Sequence, residues 1–432
     1  MSGSLRVRAL WWRLHRWIAL ALVLLLVPIS LSGALLVWHD QLDALIHPGR
    51  YAVTGTELAQ PSAYLANAAA ALASEASGQR GDSMGARAGH SPEAGSSARA
   101  ALGGSVQPAA VRFPAEDGWP VIVMARAPRA EGGPPRLVNV YLDPPTARVL
   151  DVVDFRASLI GWLHRFHENL TIPEYSGRAV VGWAGIGMLI LALTGLWLWW
   201  PRGGALMAGL RWRRTAHTTA NLHHLFGFWL ALPLAVVSAT GIYLGFPQTA
   251  RQVMSSLAPM TPPGQRPGFG AVVREARLTP EAAVSAALMP EPGAQVAVIF
   301  LPIAGASTSG RDRARGAEQG SSEVPRENGP RWRVQLRVAG SGEIVTAMVD
   351  DASGAVERPP GPLAGDRAAS WMRWIHDGSR GGPLWQVAVF LTGIAPAVFA
   401  VTGVVMWWRG RRARKAGATI PAAGERSLQA AE

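Results

Sequence analysis

Ten histidines and no cysteine define the chemistry open to this 432-residue chain. Without sulfur ligands it can form no disulfide, thiolate zinc site, iron–sulfur cluster, thiolate-ligated haem or covalent c-type haem, so a metal or haem must rely on histidine, methionine or carboxylate. The histidines recur in order. Leu14-His15-Arg16-Trp17 opens one apolar run and Leu222-His223-His224-Leu225 opens another, with Ser32-Gly33 and Thr240-Gly241 following at the same interval. Leu163-His164-Arg165-Phe166 and Ile375-His376-Asp377 precede two further runs, which contain Thr194-Gly195 and Thr402-Gly403 and end in Trp199-Trp200-Pro201-Arg202 and Trp407-Trp408-Arg409.

This repetition pairs His15 with His223 and His164 with His376, one from each half. Histidines at helix ends that converge on a bundle axis can supply two axial nitrogens to a non-covalently held b-type haem, and filling both positions favours electron transfer over oxygen binding. Gly33, Gly195, Gly241 and Gly403 would give the flat macrocycle or a neighbouring helix close access. The plainer reading is interfacial histidines touching headgroups and small-residue helix contacts. Four matched positions near membrane depth favour ligation. His224, His167 and His39 lack repeat partners and are secondary candidates, with His224 able to replace His223 by a small rotation. His164-Arg165-Phe166-His167-Glu168 is a weak metal motif, and no dinucleotide fingerprint, phosphate loop or His-Glu-x-x-His helix competes.

The positioning elements follow from hydropathy. Segments 17–38, 180–200, 222–246 and 383–408 carry no charged side chain over a length that crosses about 30 Å of hydrocarbon, which predicts four transmembrane helices. The first could alternatively be a cleaved signal peptide, since basic residues precede it and small residues lie near its end. Arg6, Arg8, Arg13, Arg16, Arg202, Arg211, Arg213, Arg214, Arg409, Arg411, Arg412, Arg414, Lys415 and Arg426 flank the spans against only Glu425 and Glu432. These short segments therefore hold the whole +12 surplus, and the two long loops balance to zero. The positive-inside rule places segments 1–16, 201–221 and 409–432 in the cytoplasm and the long loops 39–179 and 247–382 outside. The charge is a topology signal, not a nucleic-acid footprint. Trp11, Trp12, Trp199, Trp200, Trp212, Trp407 and Trp408 form a cytoplasmic aromatic belt.

His15, His217, His223 and His224 then lie on the cytoplasmic side, and His39, His47, His164, His167 and His376 outside. Histidines at opposite faces cannot share an iron across the hydrocarbon. Each outer segment opens with an Ala-rich helical stretch (57–74 and 280–289), continues through a polar tract expected to be disordered (78–104, containing an idle His90, and 305–329), and ends in alternating strands. Val138–Asp143, and Arg331–Val338 followed by Met348–Asp350, read as strands that end in Asp-led turns. The halves share one orientation, which implies a pseudo-twofold axis along the membrane normal.

On these residues the chain resembles the PepSY-associated transmembrane proteins, iron-regulated inner-membrane proteins that include ferric-siderophore reductases. The likeness rests on Leu14-His15-Arg16-Trp17 with Ser32-Gly33, Leu163-His164 with Thr194-Gly195, Leu222-His223 with Gly227 and Thr240-Gly241, Ile375-His376-Asp377-Gly378 with Thr402-Gly403, and the turns Asp143-Pro144-Pro145-Thr146 and Asp350-Asp351-Ala352-Ser353-Gly354. It covers nearly the whole chain except the polar tracts and tail. It implies a four-helix core with two periplasmic α+β PepSY-like domains, haem b on the motif histidines, and delivery of electrons to iron in a siderophore. Ala147 stands where the first turn usually has Gly, and His224 replaces the common Arg. The expected function is a di-haem b inner-membrane protein that accepts electrons from quinol or a cytoplasmic flavoprotein and reduces Fe(III) chelates outside. The alternatives are a membrane-anchored module binding a periplasmic protein, and a siderophore permease component, which lacks an intramembrane coupling-ion site.

Overall fold

The computed structural model describes residues 2–76, 106–127, 136–172, 174–200, 217–262, 276–303, 329–340 and 342–418. The tract 78–104 with His90, the tract 305–329 apart from Gly329, the basic residues and Trp212 of segment 201–216, and the end of the tail lie outside the described residues.

Two compact units emerge, each assembled from separate stretches of chain. The first contains the four long helices α1 (Ser2–Val37), α5 (Glu174–Trp199), α6 (Thr218–Gly245) and α10 (Gly382–Ala418). Each has a stretch long and apolar enough to cross a bilayer, at Arg6–Val37, Ser176–Trp199, Thr218–Gly245 and Gly382–Arg412. Packing runs cyclically from α1 to α5, α6 and α10 and back to α1. Leu26, Ile29, Ala184, Met188, Ala192 and Leu234 fill part of the interior. Small residues set the approach between helices: a Cβ on Gly393 would stand 2.8 Å from Ala34 Cβ. Shorter helices α4 (Leu159–Asn169), α7 (Pro247–Leu257) and α9 (Ala364–Asp377) precede or follow the long ones.

The second unit spans residues 40–161 and 261–362. Where the sequence suggests two modules, the strands make one eight-stranded antiparallel sheet. Its members are β1 (Gln107–Arg112), β2 (Val121–Ala127), β3 (Arg136–Leu142), β4 (Val149–Asp154), β5 (Gln295–Ile303), β6 (Arg331–Arg337), β7 (Ile344–Asp350) and β8 (Val356–Glu357), in the order β4-β3-β2-β1-β5-β6-β7-β8. The halves join where Val111 of β1 pairs with Ile299 of β5. Strict alternation along β6 buries Trp332, Val334 and Leu336, and helices α3 (Pro61–Ala76) and α8 (Pro280–Leu288) lay Tyr64, Ala68, Leu72, Ala283 and Ala287 on the same core. A short helix α2 (His39–Ile46) stands before the first half.

Two buried carboxylates close the halves alike. Asp143 accepts from the Thr54 amide and Thr54 Oγ1, each at 2.7 Å, and Asp351 from the Arg277 amide at 2.8 Å, the Leu278 amide at 3.1 Å and Trp332 Nε1 at 2.8 Å. Of these donors Trp332 Nε1 is buried, while the Arg277 and Leu278 amides are only partly shielded, so removing the acceptor strands one buried donor at about 1–3 kcal/mol. Asp351→Ala is therefore expected to destabilise this unit by about 1–3 kcal/mol, read as a lower thermal midpoint of the purified protein.

Candidate functional site

The helix ends bring four histidines onto four Ser/Thr-Gly pairs. His15 on α1 places Nδ1 2.8 Å from Thr194 Oγ1 of α5, and His223 on α6 places Nδ1 2.8 Å from Thr402 Oγ1 of α10. At the other end, His167 on α4 places Nδ1 2.8 Å from the Ile29 carbonyl and 3.4 Å from Ser32 Oγ of α1. His376 on α9 does the same on α6, 3.0 Å from the Val237 carbonyl and 3.4 Å from Thr240 Oγ1. The helical rise of 1.5 Å per residue puts roughly 26 Å between His15 and Ser32 along α1, so the two sets occupy opposite ends of the long helices.

These contacts fix the tautomers. A carbonyl only accepts, so Nδ1 of His167 and of His376 carries the proton. Thr194 spends its hydroxyl proton on the Ile190 carbonyl at 2.6 Å, and Thr402 spends its own on the Val398 carbonyl at 2.8 Å. Both hydroxyls therefore accept from the histidine, and His15 and His223 are Nδ1–H tautomers too. In all four, the unprotonated lone pair sits on Nε2, as in metal-ligating histidines oriented by a second hydrogen bond. Burial above all, reinforced by the neighbouring His376, pushes His167 down to about 4, and burial lowers His376 as well. Both are neutral at pH 7.

Within each end the histidines converge. The His167 and His376 rings lie 6.0 Å apart between centroids, tilted by 42°. His15 and His223 line a common cavity of about 410 Å³ among the four long helices, within the range of roughly 300–1,000 Å³ typical of ligand pockets. Among the described residues no three His, Asp or Glu side chains gather as a metal-ion cluster.

The sequence pairs His164 with His376, whereas the structure brings the His167 ring next to His376. His164 lies one turn earlier on α4 and is exposed. The physical reason is the face of α4: only the His167 position meets the Ile29 carbonyl and Ser32. The glycines also take a more specific role than expected, because what lies against them is an imidazole. A Cβ on Gly33 would stand 2.6 Å from His167 Cε1, and one on Gly241 2.9 Å from His376 Cε1.

The PepSY-associated TM region family matches residues 12–410 of the chain. The chain belongs to this family. No curated protein matches it. Of the departures of this PepSY-associated protein from its family pattern, His224 lines the same cavity as His223, but it is His223 that shares with His15 the threonine contact. Ala147 adopts the left-handed backbone, at φ 53°, a conformation that favours glycine. Its methyl group is buried in the sheet core, which offsets part of the conformational cost. His39 starts α2 beyond the end of α1.

A signal for His167 was present in the sequence. The interval from His15 to His223 equals that from Thr194 to Thr402 and from Gly33 to Gly241. Carried back from His376, the same interval reaches Glu168, one residue past His167 and four past His164.

Proposed function

We propose that this PepSY-associated membrane protein is a di-haem b electron-transfer protein of the bacterial inner membrane that reduces Fe(III) chelates, such as ferric siderophores, on the periplasmic side. The observation that carries the reading is the fourfold arrangement of histidines locked as Nδ1–H tautomers, in two converging pairs. The fit to haem can be tested on the His167–His376 separation. The donor set fits: the two ring centroids lie 6.0 Å apart and each ring commits Nδ1 to a carbonyl, which leaves an unprotonated Nε2 on each that would serve as a haem ligand.

His15 and His223 would hold one haem and His167 and His376 the other; when bound, haem supplies reversible one-electron transfer. The chain's own contribution is orientation. Thr194, Thr402, Ile29 and Val237 hold the rings in one tautomer, and Leu20, Val23, Leu26, Met188 and Leu234 give the His15–His223 cavity an apolar lining. Arg6, Arg8, Arg13, Arg409, Arg411 and Arg412 crowd the His15–His223 end, which supports a cytoplasmic assignment for it and a donor there, quinol or a flavoprotein. One electron converts Fe(III) to Fe(II), which hard oxygen ligands hold less firmly, so the chelate loosens.

The test is a reduced-minus-oxidised absorption spectrum of the purified chain with haem counted. Two b-type haems per chain are expected, with one retained in His223→Ala and two in His224→Ala. Absence of haem after expression with ample haem supply overturns the reading and leaves a membrane-anchored PepSY module as its replacement.

A further inference from the structure

The cavity between His15 and His223 has a charge problem. Its walls include Arg16 and the imidazoles of His15, His223 and His224, but no Asp or Glu. The Arg16 guanidinium carbon lies 4.4 Å from the centre of the Trp12 ring and 5.4 Å from that of Trp17. Arg16 Nε is buried with no hydrogen-bond partner. Among the described residues no carboxylate pairs with it.

A shielded guanidinium donor without an acceptor costs about 1–3 kcal/mol, and more when charge is involved. Arg16 stands beside the start of the apolar run of α1 and lines the same cavity as its neighbour His15. The two neighbouring indoles also attract this guanidinium and restrict its movement before any ligand arrives. The missing acceptor is thus an anion that enters the cavity with an apolar body, because the remaining walls are mainly Leu, Ala, Val, Gly and Trp.

We infer that Arg16 binds a carboxylate of the ligand held between His15 and His223, which, resting on the haem reading above, is a haem propionate. Arg16 is a binding residue for the periphery of the cofactor and lies next in sequence to the histidine that would hold its iron. Guanidinium–carboxylate pairs are charge-assisted and directional, so Arg16 would also set the rotation of the macrocycle about its histidine axis.

The test titrates detergent-purified chain, prepared without haem, with haem and with haem dimethyl ester, whose propionates are blocked. His376→Ala serves as background so that one centre is read. Haem is expected to bind at least roughly tenfold more tightly than its ester; Arg16→Gln should abolish that preference, and Arg16→Lys, which keeps the charge, should restore part of it. Equal affinity for haem and ester, or a preference that survives Arg16→Gln, overturns the inference while leaving the haem reading intact. So does native mass spectrometry that finds a phospholipid in the cavity released by Arg16→Gln, since the anion would then be a lipid phosphate. Failure of the parent protein to take up either porphyrin overturns both.

Discussion

His167→Ala is expected to remove one of two b-type haems, lowering the count from two to one per chain, whereas His164→Ala, one helical turn away, leaves two. The difference follows from what each side chain touches. His167 gives its Nδ1 proton to the Ile29 carbonyl and faces His376 across 6.0 Å, while His164 is exposed. His376→Ala should reproduce the loss, because this haem would be held by both histidines of the pair. The spectrum of the surviving centre should match that of the protein's His15–His223 centre, since about 26 Å of helix separates the two ends. A chain that keeps both haems in His167→Ala, or loses one in His164→Ala, would return the assignment to the motif His164.

How the sequence led to His164 shows what it can and cannot carry. Four uncharged runs are enough to place the long helices, because hydrocarbon thickness fixes a minimum apolar length. The α1, α5, α6 and α10 helices extend past those runs, at the basic ends of α1 and α10 for instance, because a helix does not stop where charge begins. His15, His223, Thr194 and Thr402 are legible because each lies within a long helix whose registry is rigid. His164 and His167 lie instead on the short α4, where similarity of the flanking residues Leu163 and Ile375 suggested one alignment and helix facing chose another. A displacement of three residues turns a side chain by most of a helical turn yet still moves it up the axis, so only a three-dimensional contact, here with Ile29 and Ser32, separates the two. The sheet was legible as strands but not as one sheet: the β1–β5 pairing joins segments far apart in sequence through three partnered residues, and nothing local in Ala110–Arg112 announces that partner.

The glycines give the second large effect, and it should be graded. Alanine at Gly33 would put Cβ 2.6 Å from His167 Cε1, at Gly241 2.9 Å from His376 Cε1, at Gly195 3.3 Å from His15 Cε1 and at Gly403 3.9 Å from His223 Cε1. The first two separations are closer than packed carbons tolerate. His167 cannot retreat without giving up its bond to Ile29, a carbonyl on the very helix that carries Gly33, so the added methyl and the tautomer lock are in direct conflict. Overpacking of this kind costs about 1–3 kcal/mol, and the ring that moves is the one offering Nε2. Against this stands the gain of about 1 kcal/mol that alanine brings to a helix interior over glycine. The balance therefore changes sign along the series: Gly33→Ala should deplete the His167–His376 haem almost completely, Gly241→Ala should deplete the same centre less, Gly195→Ala should weaken the other centre modestly, and Gly403→Ala should retain full haem with an unchanged or raised thermal midpoint. Haem stoichiometry and melting of the four variants, measured side by side, decide it. If Gly403→Ala is as damaging as Gly33→Ala, the glycines admit something flatter and wider than an imidazole edge, and the contact with the histidine ring is not what requires them.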